Sequence, residues 1–162
     1  MERIRGRVWK FGDNINTDNM SPAQYMFSIE EVAKHCLEAV RPEFCIEAKP
    51  GDIVLGGDNF GTGSSRETAP RALKELGIGL VLAKSFARIF YRNCVDIGLP
   101  AMIIGDLYEE IEDGDILVAD VESNEMVDET KQKSFEVPPI PTATRRILEA
   151  GGLIPYAVSQ HW

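Results

Sequence analysis

Apolar residues recur along the chain with two different periods, and the changes of period mark out the elements. Arg3 to Phe11 carries β-branched and aromatic residues and predicts a strand. Gly12 to Tyr25 is polar and rich in Asn and Asp, a loop. Ile29, Val32, Ala33, Cys36 and Leu37 then fall at i, i+3, i+4, i+7 and i+8, one buried stripe of a helix. Ser28 and Glu31 open that helix as a capping box, and Pro42 ends it. Cys36 therefore points into packing. Pro50-Gly51-Asp52 is a turn and Ile53-Val54-Leu55 a short buried strand. A glycine-rich loop, Gly56 to Glu67, leads into a helix that runs to about Leu76 and closes at Gly77. Leu80 to Ala83 is the next strand, Ser85 to Val95 a helix ended near Gly98, and Pro100 to Ile104 a further strand. Ile116 to Val121 and Lys133 to Val137 read as a hairpin joined through Glu122 to Glu129. After Pro138, Pro139 and Pro141 a last short helix starts at Thr142 or its neighbour and stops at Gly151-Gly152. The middle of the chain thus alternates strand, helix, strand, helix, strand, the pattern of a parallel sheet with crossover helices.

The chain has 162 residues, one ordinary domain's worth, so residues 1–162 are expected to form one α/β domain with extra β structure at both ends. Seventeen Lys and Arg against 26 Asp and Glu leave a formal charge of −9. That balance speaks against nucleic acid and against an anionic membrane surface, since both need a basic surplus. A small anionic substrate is still allowed, because a few placed groups bind it against net repulsion. The longest nearly apolar stretch, Ile97 to Gly105, is far short of the roughly 20 residues that span a bilayer. Met1 to Arg7 has no apolar core, so no secretory signal is expected. The three cysteines, Cys36, Cys45 and Cys94, are odd in number and form no C-x-x-C, which points to a reducing, cytoplasmic setting. With only His35 and His161 besides, no metal site is expected from this chain.

The most informative segment is Gly61-Thr62-Gly63-Ser64-Ser65-Arg66-Glu67. It lies between a strand and a helix, where α/β sheets place their ligand crevice. Its glycines allow a tight turn and a close backbone approach. Ser64 and Glu67 have capping-box spacing, so the helix is expected to start at Ser64, or properly only at Pro70. In either case amide N–H groups near Ser64 and Ser65 point to the loop mouth and favour an anion. Arg66 adds a fork suited to a carboxylate. Walker A, the dinucleotide fingerprint and the serine-hydrolase elbow are all absent. On mechanics alone the loop is an anion site with a hydroxyl, or an ordinary capped turn.

The run Asp58-Asn59-Phe60-Gly61-Thr62-Gly63-Ser64-Ser65-Arg66-Glu67-Thr68-Ala69-Pro70 resembles the N-F-G-x-G-S-S-R-E-x-A-P signature of the aconitase family. More narrowly it resembles the isopropylmalate isomerase small-subunit branch. Val8 to Asp18 looks like the opening of those subunits, Ala83 to Asn93 like their second signature, and Gly98-Leu99-Pro100 follows as in them. Thr62 stands where many relatives have Cys, Thr68 where many have His, and Asn19-Met20-Ser21-Pro22 is an unusual version of its segment.

The resemblance implies the swivelling β/β/α domain of the aconitase type. It implies a hydro-lyase that works only with a large subunit and isomerises 2- and 3-isopropylmalate by dehydration and rehydration, a step of leucine biosynthesis. The alternatives within the resemblance are homoaconitate, another substituted malate, or a regulatory domain without catalysis. A four-iron four-sulfur cluster, acting on the departing hydroxyl, is expected on the large subunit and no cofactor on this chain. Carried over position by position, Ser64 is the expected base, and Ser65 and Arg66 hold the substrate carboxylate. Tyr25, Met26 and Phe27 correspond to the segment that reaches over the variable end of the substrate. Relatives that take a third carboxylate place an Arg there, whereas this chain has no Arg or Lys between Lys10 and Lys34, so an apolar substrate side chain is expected. The competing reading is that Met26 and Phe27 only staple the entry to the helix at Ser28. Thr17 and Asp18 either shape the loop entrance or serve the turn, and Lys84 and Arg88 either face the large subunit or lie on a solvated helix face.

Overall fold

Ile53 and Leu55 pack on one side of their strand and Val54 on the other, and all four residues of Ile53–Gly56 are buried. A strand apolar on both faces needs cover on both, which a parallel sheet with flanking helices supplies. The computed structural model describes residues 3–161, so Met1 and Glu2 of the amino-terminal segment lie outside it. In chain order the elements are β1 (Ile4–Lys10), α1 (Thr17–Met20), α2 (Ile29–Lys34), α3 (Phe44–Glu47), β2 (Ile53–Gly56) and α4 (Thr68–Glu75). There follow β3 (Leu80–Ala83), α5 (Arg88–Asp96), β4 (Ala101–Ile103), β5 (Ile116–Asp120), β6 (Glu125–Asp128), β7 (Lys133–Glu136), α6 (Thr142–Glu149) and α7 (Leu153–Ser159).

The seven strands form one sheet in the order β4-β3-β2-β1-β5-β6-β7. β1 to β4 run parallel, and β5, β6 and β7 continue antiparallel from β1. β1 is divided between the two halves. Val8, Trp9 and Lys10 pair with Ile53, Val54 and Leu55 of β2, whereas Ile4 to Arg7 pair with Ala119 to Ile116 of β5. At the changeover the buried Asp52 carboxylate accepts from the Arg7 amide at 3.3 Å, the Trp9 indole N–H at 2.9 Å and the Lys49 amide at 2.9 Å. Gly6 is forced there, because a Cβ would come within 2.0 Å of the Gly51 carbonyl oxygen. Two apolar clusters cover the sheet, one around Trp9, Phe44, Phe60 and Phe90, the other around Leu55, Leu80, Leu82 and Met126.

The βαβαβ reading of the middle of the chain matches β2-α4-β3-α5-β4. Four expectations need correction. The helix capped by Ser28 ends at Lys34, not at Pro42: Ser28 Oγ does accept from the Glu31 amide, but Leu37 turns to φ +58° and donates to the Asn19 carbonyl. A tertiary bond thus ends a helix whose apolar period continues. Cys36 is buried all the same, beyond the helix end. The helix after the glycine-rich loop starts at neither Ser64 nor Pro70 but at Thr68, with Glu67 as an N-cap that makes no side-chain cap bond. Pro70 sets that boundary. From Thr68 it falls in the first turn, where an N–H has no intrahelical partner; from Ser64 it would have interrupted the ladder. The hairpin of β5 with residues 133–137 is a three-strand meander, because β6 lies within the expected connection. Three short helices, α1, α3 and α7, stand where the pattern predicts none.

Asp115 and Asp128 are both buried beside the meander. Asp128 Oδ1 accepts from the Lys131 amide at 3.1 Å, while Oδ2 has no donor to accept from. Burial pushes the Asp128 carboxyl up, and the neighbouring Asp115 carboxylate pushes it the same way, so Asp128 keeps its proton to higher pH than an ordinary aspartate. Burial alone would raise Asp115 too, but bonds from Asp128, from the Glu112 amide and from Lys131 outweigh it and leave it low. The raised Asp128 contributes stability that is complete below the ordinary aspartate value of 3.8 and lost as pH rises through its folded value. Asp128→Asn, which keeps a donor toward Asp115 at every pH, is expected to raise stability at pH 7 by about 1 kcal/mol. For a chain of this size that is roughly 2–4 °C in Tm. Urea unfolding from pH 4 to 8 checks it: wild type should lose ground to the variant as pH rises, and parallel curves would refute the retained proton.

Candidate active site

The glycine-rich loop is nailed down before it reaches its polar residues. Phe60 is fully buried, meets Phe90 edge-on at 5.4 Å and Phe86 at 6.2 Å, and bridges the Ser85 and Ala87 backbones through its amide and carbonyl. Gly61 follows at φ +87°, and a Cβ there would lie 2.1 Å from Phe90 Cγ. The Gly61 amide donates to the Ile15 carbonyl at 2.7 Å and the Thr17 amide to the Thr62 carbonyl at 2.8 Å, so the loop is stitched to the segment after β1. Gly63, at φ +113°, then throws Ser64 and Ser65 outward, both exposed.

Ser64, Ser65 and Arg66 each have a separate anchor. The Ser64 amide donates to Thr17 Oγ1 at 3.1 Å, and the two hydroxyl oxygens are 3.2 Å apart. The Ser65 carbonyl accepts from Asn93 Nδ2 of α5 at 3.1 Å. Arg66 Nη1 reaches the Ser21 carbonyl at 3.3 Å, Asp18 Oδ1 at 3.5 Å and Met26 Sδ at 3.8 Å. Among the described residues Arg66 makes its hydrogen bonds through Nη1 alone, so Nε and Nη2 are left to a carboxylate. The pairing with Asp18, itself 70 % exposed, is screened and weak. The Ser64 amide is spent on Thr17 and does not face an anion; the Ser65 and Arg66 amides bond to nothing among the described residues.

Tyr25, Met26 and Phe27 are divided by the structure. Tyr25 lines a concavity of about 390 Å³ together with Asp18, Asn19, His35, Glu38 and Arg66. Its ring stacks on His35 at 3.5 Å, and His35 Nδ1 is 2.7 Å from Glu38 Oε2. Met26 touches Arg66 and accepts from Ser21 Oγ. Met26 and the 85 % exposed Phe27 both border a second groove with Ile29, Thr68 and Arg71, and neither lines the concavity of Arg66.

Burial pushes the Cys36 and Cys94 thiols far up, and the half-buried Cys45 is raised for the same reason. Among the described residues no three His, Cys, Asp or Glu are placed to share a metal ion. Lys84 pairs with Glu109 at 3.5 Å, and Arg88 and Arg92 lie exposed on α5. The Tyr25–His35 stack has no sequence signal; Thr17 and Asn93 have one, their places in the opening segment and in the second signature, without partners to give it meaning.

A hydroxyl pair and a half-open guanidinium, presented by a strand–loop–helix turn, are found in a known setting. The family described as the aconitase C-terminal domain matches residues 12–106, more than half of the chain, and the chain belongs to the aconitase family. The 3-isopropylmalate dehydratase small subunit of Thermodesulfovibrio yellowstonii is 46 % identical over 94 % of this chain and 92 % of its own length. That of Aquifex aeolicus is 47 % identical over 96 % and 94 %. The isopropylmalate/citramalate isomerase small subunit of Methanocaldococcus jannaschii is 46 % identical over 94 % and 92 %. The crystal structure of a 3-isopropylmalate dehydratase from the same organism superposes with a TM-score of 0.93 at 41 % identity, over 99 % of this chain and 96 % of that one. Within the family, the group is that of the 3-isopropylmalate dehydratase small subunits.

Gly61→Ala tests whether the loop is held from behind. The Cβ meets Phe90, and the left-handed backbone strains any L side chain. Overpacking and strain together are expected to cost about 2–4 kcal/mol. Urea unfolding of the variant reads this, and a loss under 1 kcal/mol would refute it.

Proposed function

We propose that the chain is the small, substrate-closing half of a two-subunit hydro-lyase that interconverts 2-isopropylmalate and 3-isopropylmalate in leucine biosynthesis. The observation that carries the reading is the joint presentation of Ser64, Ser65 and Arg66 on one anchored, exposed loop beside a concavity. The names of the relatives support the substrate and the large-subunit partner. The iron–sulfur cluster is expected on that partner. Three unpaired cysteines and the absence, among the described residues, of a helix long and apolar enough to cross a membrane support a cytoplasmic setting.

In this reading the ionised Ser64 oxygen takes the proton from the carbon next to a carboxylate. The C–H electron pair becomes the second bond of the alkene, and hydroxide leaves the neighbouring carbon, with an acid of the large subunit as its proton source. Rehydration runs these steps in reverse with the two carbons exchanged: the hydroxide of a water adds to the carbon that lost its proton, and the neutral Ser64 hydroxyl gives its proton to the carbon that lost its hydroxide. Ser65 Oγ and the open edge of Arg66 hold the carboxylate, which also withdraws charge from the carbanion-like transition state. Met26, packed on Arg66, offers a thioether to the substrate's variable end, which suits an isopropyl group and disfavours a third carboxylate.

Ser64→Ala in the complex with the large subunit is expected to lower kcat by about 10²–10⁴-fold. The backbone anchors of the loop remain, so co-purification with the large subunit should be unchanged. A variant that keeps most of its turnover would make Ser64 a structural residue. The native complex should prefer 3-isopropylmalate to homoaconitate in kcat/KM, and Met26→Arg should move the ratio toward the tricarboxylate. A native preference for homoaconitate would overturn the apolar reading.

A further inference from the structure

Ser64 poses a problem that the loop by itself does not solve. A serine hydroxyl holds its proton far above neutral pH, so a serine that acts as a base needs a donor aimed at its oxygen before substrate arrives. The Ser64 amide does not meet the need, because its N–H points at Thr17. We infer that Thr17 is the positioning residue for Ser64, its hydroxyl being the donor that stabilises the ionised Ser64 oxygen. This rests on the reading of Ser64 as the base.

The hydrogen-bond inventory of Thr17 Oγ1 leaves its proton available to Ser64. A hydroxyl has one proton and two lone pairs. The Ser64 amide donates into one lone pair at 3.1 Å. The Thr17 proton then has two acceptors in reach, Ser64 Oγ at 3.2 Å and the Ser64 carbonyl at 3.4 Å. While Ser64 is neutral, either hydroxyl can donate to the other. Once Ser64 has lost its proton it can only accept, and the bond becomes charge-assisted and stronger. The contact therefore favours the ionised form over the neutral one, which a base requires.

Thr17 is built to hold this position. It is 1 % exposed, its amide donates to the Thr62 carbonyl and its carbonyl accepts from the Ser21 amide. The β-branch restricts χ1, so little freedom is left for the hydroxyl oxygen. Gly63 leaves the room: a Cβ there would stand 3.0 Å from Thr17 Oγ1. The charged groups around the pair are Asp18 and Arg66, which face each other at 3.5 Å, Glu67, which is turned to Arg71 at 3.0 Å, and Arg92, exposed on α5 beside Asn93.

The test uses the complex with the large subunit and reads kcat, KM and the pH profile. Thr17→Val keeps the shape and removes the donor, and Thr17→Ala does the same with less bulk where Val disturbs assembly. Either should lower kcat by about 10–150-fold, the worth of one charge-assisted bond, with KM held. The acid limb of kcat against pH should move up by about 1–2 units. Thr17→Ser should restore the rate to within about tenfold, because it keeps the hydroxyl and loses only the stiffness. In a Ser64→Ala background, Thr17→Val should leave the residual rate unchanged, since its effect passes through Ser64. A Ser64→Ala variant that is inactive beside a Thr17→Val variant of wild-type rate and pH profile would overturn the inference and spare the base. So would equal losses in Thr17→Val and Thr17→Ser, or a further loss in the Ser64→Ala background, each marking a purely structural role. Should Ser64→Ala itself stay active, the base reading falls and this inference with it.

Discussion

One carboxylate lets the first strand belong to two halves of the sheet. At Arg7 the chain leaves β5, and at Val8 it joins β2. A strand that changes partners leaves an amide without its ladder acceptor, and a buried amide without an acceptor is expensive. Asp52 takes that amide, and with the same two oxygens takes the Trp9 indole and the Lys49 amide. The indole bond fixes the ring against Phe44, so the register of the strand and the packing of the larger core are set at one point.

From there the constraint passes to the loop. The chain leaves β1 through Ile15 and Thr17, whose backbones receive Gly61 and reach Thr62. Behind the loop stands Phe60 in its aromatic pocket, and in front of it Asn93 of α5. Three elements far apart in sequence therefore meet around four residues, Gly63 to Arg66. A loop held this way loses little further entropy when it takes up a ligand, which is the physical meaning of preorganisation.

What the sequence made legible follows from the range of each interaction. Period-two and period-3.6 patterns report burial, and they marked β2, β3, α5 and α6 to within three residues. The start of α4 is not legible, because Ser64 and Glu67 have the spacing of a cap while the Ser64 hydroxyl is turned to a residue 47 positions away. The end of α2 is hidden for the same kind of reason, a bond from Leu37 to Asn19. β6 was hidden because Glu125–Asp128 is short and half polar. Ser64, Ser65 and Arg66 stood out in a signature, but their anchors, Thr17 and Asn93, come from other segments and needed the fold to bring them in.

The divided strand also sets an order of events. Ile4 to Arg7 are made well before their partners Ile116 to Ala119, which lie more than a hundred positions on. Pairing across so long a stretch of chain is slow to close and raises the contact order. During synthesis the amino-terminal half of β1 has no native neighbour on its β5 edge until the meander has left the ribosome. The three parallel strands that follow can assemble earlier, on Val8 to Lys10 alone. An arrested chain ending before residue 116 would therefore carry the glycine-rich loop and most of its anchors but expose one raw edge of sheet, a surface open to intermolecular pairing.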